Sequence, residues 1–233
     1  MSAFDKVASN YDIWLEHAIG GFVYTVEKEL LWHALQPTEG QTCLDLGCGT
    51  GIISMYFAEK GLQVTGIDIS QAMIDVANSK ILQYPHLSVK YQIADISLLP
   101  FDNDTFDYVI GNTVIEFVQN PKKVITEAMR VVKKGGRISI GCIQKESPWG
   151  LLYLDQGQNP DSIFSKAKFY TKTDIDFFYH KTPKYSYGLM LHPNELINMK
   201  DTDIHDLKEI ELARSGKYPD SNAGFLVATW FKE

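Results

Sequence analysis

The sequence predicts an α/β protein with a seven-stranded, mostly parallel sheet and helices on both of its faces. Between residues 22 and 143, apolar segments of strand length alternate with longer amphipathic segments, which is the pattern of βαβ units. A glycine-rich turn, Gly47-Cys48-Gly49-Thr50-Gly51, follows the first strand-like segment. The chain has 233 residues, 45% of them hydrophobic, so it can bury a core without a disulfide or a metal.

The composition limits the partners that we expect. The net charge is −7, and adjacent basic residues form nothing longer than a pair, so a nucleic-acid partner is not expected. The three cysteines form no CxxC pair, which favours reduced thiols and a cytoplasmic location. The six histidines have no ligand spacing, so we expect no metal. No apolar run reaches the ~18 residues of a membrane span, and the N-terminus does not read as a signal peptide.

The first two thirds of the chain alternate between the two element types. Strands are predicted at 42–46, 63–67, 88–93, 106–111 and 137–143. Helices are predicted at 22–35 and 52–60, from the N-cap Ser70 to Ile81, and from the N-cap Asn120 to Gly135-Gly136. Helical spacing predicts an apolar face on two of these helices. In the first helix this face consists of Phe22, Val23, Val26, Leu30 and Ala34, and Glu27 and Lys28 lie off it. In the last helix it consists of Val124, Ile125, Ala128, Met129 and Val132.

The pattern changes after residue 146. Residues 147–188 hold ten aromatic residues in 42 positions, about twice the chain average of 12%. Short helices are predicted at 172–180 and 193–199, and an antiparallel strand pair at 206–213 and 224–232. We therefore expect a small helical and aromatic cap, followed by two strands that close the sheet. Some of the aromatic side chains should line an apolar pocket.

The glycine turn is the densest functional signal. Glycines at alternate positions let the backbone turn sharply and approach a ligand without a clash at Cβ. Asp68 ends the second predicted strand, where a carboxylate can accept hydrogen bonds from both hydroxyls of a ribose. The alternatives are a tight strand-to-helix connection for the turn and a helix-capping role for Asp68, although Ser70 already fills that role.

The spacing separates two classes of cofactor. A dinucleotide fingerprint has the pattern G-x-G-x-x-G, but here its third glycine position is Ile52 and a glycine stands one residue earlier. Asp45 lies two residues before the turn. This arrangement resembles the first motif of the class I S-adenosylmethionine-dependent methyltransferases, which have a Rossmann-like fold. The resemblance implies that the turn binds the methionine end of the cofactor.

Further segments agree with this resemblance. Ala94-Asp95-Ile96 resembles the adenine-contacting segment, which implies that Asp95 accepts from the adenine amino group and that Ile96 flanks the ring. Segments 106–110 and 127–138 resemble the fourth-strand and fifth-strand motifs. The opening segment, from Phe4 to Asp12, is similar to that of the ubiquinone/menaquinone and biotin-pathway methyltransferases. The resemblance covers residues 4–143.

The resemblance implies a site and a function. The cofactor is S-adenosylmethionine, its product is S-adenosylhomocysteine, and the acceptor is a small molecule bound by a monomer or homodimer. Together with the change of pattern after residue 146, the resemblance predicts one domain over 1–233, with a cofactor-binding core at 4–143, a cap-like insertion at 147–200 and a C-terminal strand pair at 204–233. The implied cofactor-binding residues are Tyr11, Asp45, Gly47, Cys48, Gly49, Asp68, Ile69, Met73, Asp95, Ile96 and Asn112. The alternative functions are a dinucleotide-binding oxidoreductase and a catalytically silent binding module.

One position departs from the family pattern. Many relatives have a histidine after the fourth strand, where this chain has Glu116. Three roles are open for Glu116: a base that takes a proton from the acceptor, a group that orients a cationic acceptor, or a surface carboxylate paired with a lysine such as Lys122. Glu116, acting as a base, is the candidate catalytic residue.

Overall fold

The computed structural model describes residues 3–199, 202–217 and 220–233. Within these ranges, seven strands form one sheet in the order β3-β2-β1-β4-β5-β7-β6. The strands are β1 (Thr42–Leu46), β2 (Gln63–Asp68), β3 (Val89–Ile93), β4 (Phe106–Asn112), β5 (Val132–Ile143), β6 (Lys184–Gly188) and β7 (Phe225–Phe231). The first five strands are parallel to one another, and β7 pairs antiparallel with both β5 and β6. The predicted fold class is confirmed.

Helices connect and cover these strands. They are α1 (Ile13–Glu16), α2 (Ala18–Leu35), α3 (Ile52–Glu59), α4 (Gln71–Ile81), α5 (Pro121–Val131), α6 (Pro148–Gln156), α7 (Lys172–Asp176), α8 (Pro193–Asn198) and α9 (Ile204–Arg214). In the described residues, no helix combines the length and the apolar character needed to cross a bilayer.

Both faces of the sheet are buried. Leu44 and Leu46 of β1 belong to a core cluster that includes residues of α5, whereas Cys43 belongs to a second cluster with residues of α2 and α3. This alternation follows from the two-residue period of a strand. The chain builds the sheet outward from β1 in one direction through β2 and β3, and then in the other direction through β4 and β5. A topological switch point therefore lies between β1 and β4. Ligands of open parallel sheets bind at the carboxyl ends of the strands at such a point.

Two expectations about the helices are wrong. Glu27 is buried, with 8% of its surface exposed, because Val23, Glu27 and Leu31 stand four residues apart on the inward stripe of α2. The helix α5 ends at Val131, and Val132 starts β5 by pairing with Phe106 of β4. Backbone pairing with β4 therefore overrides the apolar spacing that assigned Val132 to the helix.

The predicted strand at 206–213 is also wrong, because these residues lie in α9. The Asp203 side chain caps this helix by accepting a hydrogen bond from the His205 N–H, and Leu207 and Glu211 are buried one turn apart. The outer strand is instead β6, inside the segment predicted as a cap, so that segment contributes to the sheet itself. The antiparallel pair therefore exists, with β6 in place of 206–213. Residue 200, the predicted end of the cap, lies outside the described residues.

Candidate active site

The glycine turn after β1 has the backbone that its sequence requires. Gly47, Gly49 and Gly51 all have positive φ angles, of 65°, 53° and 83°. A Cβ atom on Gly47 would come within 2.2 Å of Val114, so a side chain cannot be added there. Around Gly49, in contrast, no heavy atom of the described residues, apart from Gly49 and its two chain neighbours, lies within 4 Å of the position that a Cβ would take. The turn therefore presents open space at Gly49.

Asp68, at the end of β2, is fixed against this turn. Its two carboxylate oxygens accept hydrogen bonds from the Gly49 N–H at 3.0 Å and the Ser70 N–H at 2.8 Å. Burial raises the pKa of this carboxyl above its usual value, and the two backbone donors oppose that shift. The carboxylate is thereby held at the carboxyl edge of the sheet.

A cavity of about 580 Å³ lies over this edge. It brings together most of the residues that the resemblance implied: Tyr11, Gly47, Gly49, Asp68, Ile69, Met73, Asp95, Ile96 and Asn112. We call it the first cavity.

Two implied residues do not line the first cavity. Asp45 is 1% exposed and accepts a 2.5 Å hydrogen bond from the Ser54 hydroxyl beneath the turn. Burial raises the pKa of Asp45 to about 7. Cys48 is also buried, and its thiol has a pKa well above the usual value because of that burial. Both side chains are therefore buried away from the wall of the first cavity.

The N-terminal segment is tied to the turn by polar contacts. Asp12 forms an ion pair with Lys80 of α4 and accepts a 2.6 Å hydrogen bond from the Thr50 hydroxyl. The Ser70 hydroxyl donates to Asp5 at 2.5 Å. Within this segment, Tyr11 lies in the wall of the first cavity.

A second cavity, of about 470 Å³, adjoins the first. The two share Tyr11, Asn112, Thr113 and Phe117. Thr113 has a φ of 46°, which is rare for a β-branched residue, and such strain clusters at functional sites.

The rest of the second cavity's wall is mainly apolar and aromatic. The predicted aromatic segment contributes Trp149, Tyr153 and Phe164, which confirms that it helps to line a pocket. The other residues of this wall are Trp14, Leu15, Ile19, Tyr24, Glu27, Ile52, Ile143, Leu152, Gln156 and Ile163.

Glu116 is buried outside both cavities. It is 1% exposed, and one of its carboxylate oxygens accepts a 2.8 Å hydrogen bond from the Ile143 N–H. Its other oxygen has no hydrogen-bond partner among the described residues. Burial raises its pKa to about 8. The surface role that was open for Glu116 is therefore wrong.

Glu27 is a site residue that the sequence did not predict. Glu27 lines the second cavity, and its carboxylate accepts a 2.8 Å hydrogen bond from the Asn112 amide. Burial raises the pKa of Glu27 to about 7, against the opposing effect of that hydrogen bond. The four-residue spacing from Val23 and to Leu31 is the sequence signal that could have revealed it.

Comparison with known proteins agrees with this geometry. The Methyltransferase domain family matches residues 44–140. An uncharacterized protein of Methanocaldococcus jannaschii is 37% identical over 170 residues, which span 73% of this chain and 72% of that protein. A ubiquinone biosynthesis O-methyltransferase of Coxiella burnetii is 30% identical over 160 residues, which span 68% of this chain and 60% of the relative.

A solved structure shares the fold over almost the whole chain. It is a SAM-dependent methyltransferase of Thermotoga maritima, described as a possible histamine N-methyltransferase, with a TM-score of 0.75. It is 21% identical, and the match covers 99% of this chain and 98% of that one. The fold and the site define a Rossmann-like, cofactor-binding class. Within it, the chain belongs to the class I S-adenosylmethionine-dependent methyltransferases.

Proposed function

We propose that the first cavity holds S-adenosylmethionine through the residues of this chain that line it. The open space at Gly49 suits the methionine end, because a ligand can approach the backbone there. The Asp68 carboxylate, at the carboxyl edge of the sheet, suits the ribose hydroxyls because it can accept hydrogen bonds from them. Asp95 and Ile96 suit the adenine amino group and ring face, and Ile69, Met73 and Asn112 complete the wall. Asp45 and Cys48 support the turn from beneath.

The methyl acceptor is then a small molecule bound in the second cavity. The observation that carries this proposal is the wall shared by the two cavities, at Tyr11, Asn112, Thr113 and Phe117. When bound, S-adenosylmethionine supplies a methyl group on a sulfonium, which an acceptor nucleophile can attack in line. The protein orients the two molecules and excludes water, and good orientation is worth on the order of 7–11 kcal/mol of barrier.

A labelling experiment tests methyl transfer. The protein is incubated with trideuteromethyl S-adenosylmethionine and a small-molecule extract of the source cells, and the products are analysed by mass spectrometry. We expect a product that gains one labelled methyl group and a matching amount of S-adenosylhomocysteine. Binding of S-adenosylhomocysteine with no labelled product from any extract would favour a silent binding module instead.

The catalytic role of Glu116 remains a prediction. A base at this position requires that Glu116→Gln lower turnover by about 10²-fold or more while S-adenosylmethionine affinity stays within a few tenths of a kcal/mol. Unchanged turnover removes Glu116 from the mechanism. Lost cofactor binding assigns it to the cofactor site or the fold.

We also propose one domain over 1–233, acting in the cytoplasm as a monomer or homodimer. Cys43, Cys48 and Cys142 are all free and buried, which suits a reducing compartment. Light scattering during gel filtration measures the oligomeric state. Limited proteolysis tests the single domain, because two independent domains would yield two stable fragments.

A further inference from the structure

The carboxylate of Glu27 is a buried titratable group that has no role in the proposed function so far. It stands on the inward stripe of α2, where Val23 and Leu31 flank it one turn away on either side. A carboxylate at such a position costs free energy unless it is paired. Among the described residues, the Asn112 amide is its hydrogen-bond donor, at 2.8 Å, and no ion pair to Glu27 is present. The fold thus retains a poorly compensated charge at this point.

The Glu27 carboxylate lies close to the boundary between the two cavities. Glu27 lines the second cavity, and Asn112 lies in the wall that the two cavities share. A single hydrogen bond therefore connects the Glu27 carboxylate to the boundary between the two cavities. No other acidic or basic side chain stands in the described wall of the second cavity.

The surroundings of Glu27 are acidic and aromatic. Burial raises the pKa of Tyr11, Tyr24 and Tyr153 and that of the Glu116 carboxyl, and the negative charge of Glu27 adds to each of these shifts. An anionic acceptor would meet the Glu27 carboxylate and no basic side chain in the described wall of this cavity, which is unfavourable in a low-dielectric site. A cationic or neutral acceptor meets a carboxylate and several aromatic faces, both of which attract cations.

We propose that Glu27 binds the acceptor and accepts its proton, and that the acceptor is an amine or a hydroxyl on an apolar body without negative charge. This inference rests on the proposed methyl transfer. The acceptor's lone pair forms the bond to the methyl carbon, and the carbon–sulfur bond breaks with its electron pair remaining on sulfur. The N–H or O–H proton passes to a Glu27 oxygen, which leaves methylated acceptor, S-adenosylhomocysteine and a neutral Glu27.

Burial supports this role because it brings the pKa of Glu27 to about 7. A base works best when its pKa lies near the operating pH. The Asn112 amide keeps part of the carboxylate ionised by donating to it.

Labelled methyl transfer with matched variants tests the proposal. We compare the wild-type protein with Glu27→Gln and with Glu29→Gln, a half-exposed residue of the same helix that pairs with Lys208. We expect the wild-type protein to label nitrogen or oxygen of a neutral or cationic product. Turnover should fall by about 10²-fold in Glu27→Gln and stay at the wild-type level in Glu29→Gln. S-adenosylhomocysteine affinity should stay within twofold in both variants.

The outcomes separate the two proposals. A label on carbon, on a carboxylate or on a phosphate would overturn the role of Glu27, as would full turnover in Glu27→Gln. A wild-type protein that labels nothing would overturn the proposed function, and this inference with it. If Glu27→Gln loses S-adenosylhomocysteine binding, the pH profile of the wild-type protein decides. We expect kcat/KM to rise with pH through about 7, whereas a flat profile from pH 5.5 to pH 8.5 would contradict a base of this kind.

Discussion

The Asn112 side chain, at the end of β4, donates a 2.8 Å hydrogen bond to the Glu27 carboxylate of α2 across 85 positions of sequence. This contact joins the carboxyl edge of the sheet to the helix that covers it. It is also the hydrogen bond that favours the ionised form of Glu27 against burial. The two residues therefore set the charge of the second cavity together.

Removing the Asn112 amide should raise the pKa of Glu27 further and weaken the fold. We expect Asn112→Ala to lower the free energy of unfolding by about 1–3 kcal/mol at pH 8, where the Glu27 charge loses its donor. The rise of activity with pH should move to higher pH. Urea denaturation and a pH–rate profile measure the two effects. Asn78→Ala, at an exposed position of α4, should change stability by less than about 0.5 kcal/mol, and an equally small effect at Asn112 would refute the coupling.

The burial of Glu27 predicts a pH-dependent stability difference. Its pKa rises from 4.5 to about 7 on folding, so its contribution to stability is present below pH 4.5 and is lost as the pH rises through about 7. Glu27→Gln carries no charge to bury. Relative to the wild-type protein, it should gain on the order of 2–3 kcal/mol between pH 4.5 and pH 8.5.

Thermal denaturation at several pH values measures this difference. Glu29→Gln is the matched control, because it removes a half-exposed charge whose ion pair is worth less than about 1 kcal/mol. Parallel stability curves for the wild-type protein and Glu27→Gln would show that this carboxyl titrates alike in the folded and unfolded chains.

The contacts of Asp12 predict how the N-terminal segment is held. Lys80 pairs with Asp12 and donates to the Thr50 carbonyl at 3.0 Å, so it connects the segment to the glycine turn. We expect Lys80→Met to speed amide hydrogen exchange in residues 3–17 and to weaken S-adenosylhomocysteine binding. Lys90→Met, at an exposed position of β3, is the control. Unchanged exchange in Lys80→Met would mean that other contacts hold the segment.

Cofactor binding should also slow amide hydrogen exchange in the two segments expected to cover the site. Without ligand, residues 1–20 and 147–190 should exchange faster than in the presence of S-adenosylhomocysteine, because the acceptor must enter a site that later excludes water. Residues 1 and 2 lie outside the described residues. Equal and high protection in both states would identify these segments as fixed core.

The cofactor-binding half of the site was predictable because its signals are local. The glycine turn, Asp68 and the Ala94-Asp95-Ile96 segment each follow a strand with a clear apolar pattern, so their meeting follows from the parallel sheet. The second cavity was not predictable in detail, because its wall combines α2, β4 and α6 with residues far apart in sequence. Glu27 was missed because a polar residue on an amphipathic helix ordinarily faces solvent. The error at 206–213 has a different origin, because a short segment of mixed polarity fits both the helical and the strand period.

The Asp68 carboxylate should contribute to cofactor affinity by accepting hydrogen bonds from the cofactor. We expect Asp68→Ala to weaken S-adenosylhomocysteine binding by about 1.5–3 kcal/mol, the scale of hydrogen bonds to a charged group. Asp75→Ala, which removes an exposed carboxylate from α4, should leave affinity unchanged. Because Asp68 also accepts from Gly49 and Ser70, circular dichroism must show that the variant is folded. Full affinity in a folded Asp68→Ala would remove this carboxylate from the cofactor site.

Titration calorimetry of the wild-type protein with S-adenosylhomocysteine, and separately with NAD, tests the central claim most directly. The geometry of the first cavity predicts one binding site per chain for S-adenosylhomocysteine, with no comparable heat from NAD. Tight binding of NAD together with no response to S-adenosylhomocysteine would contradict it, and would favour a dinucleotide-binding oxidoreductase on the same fold.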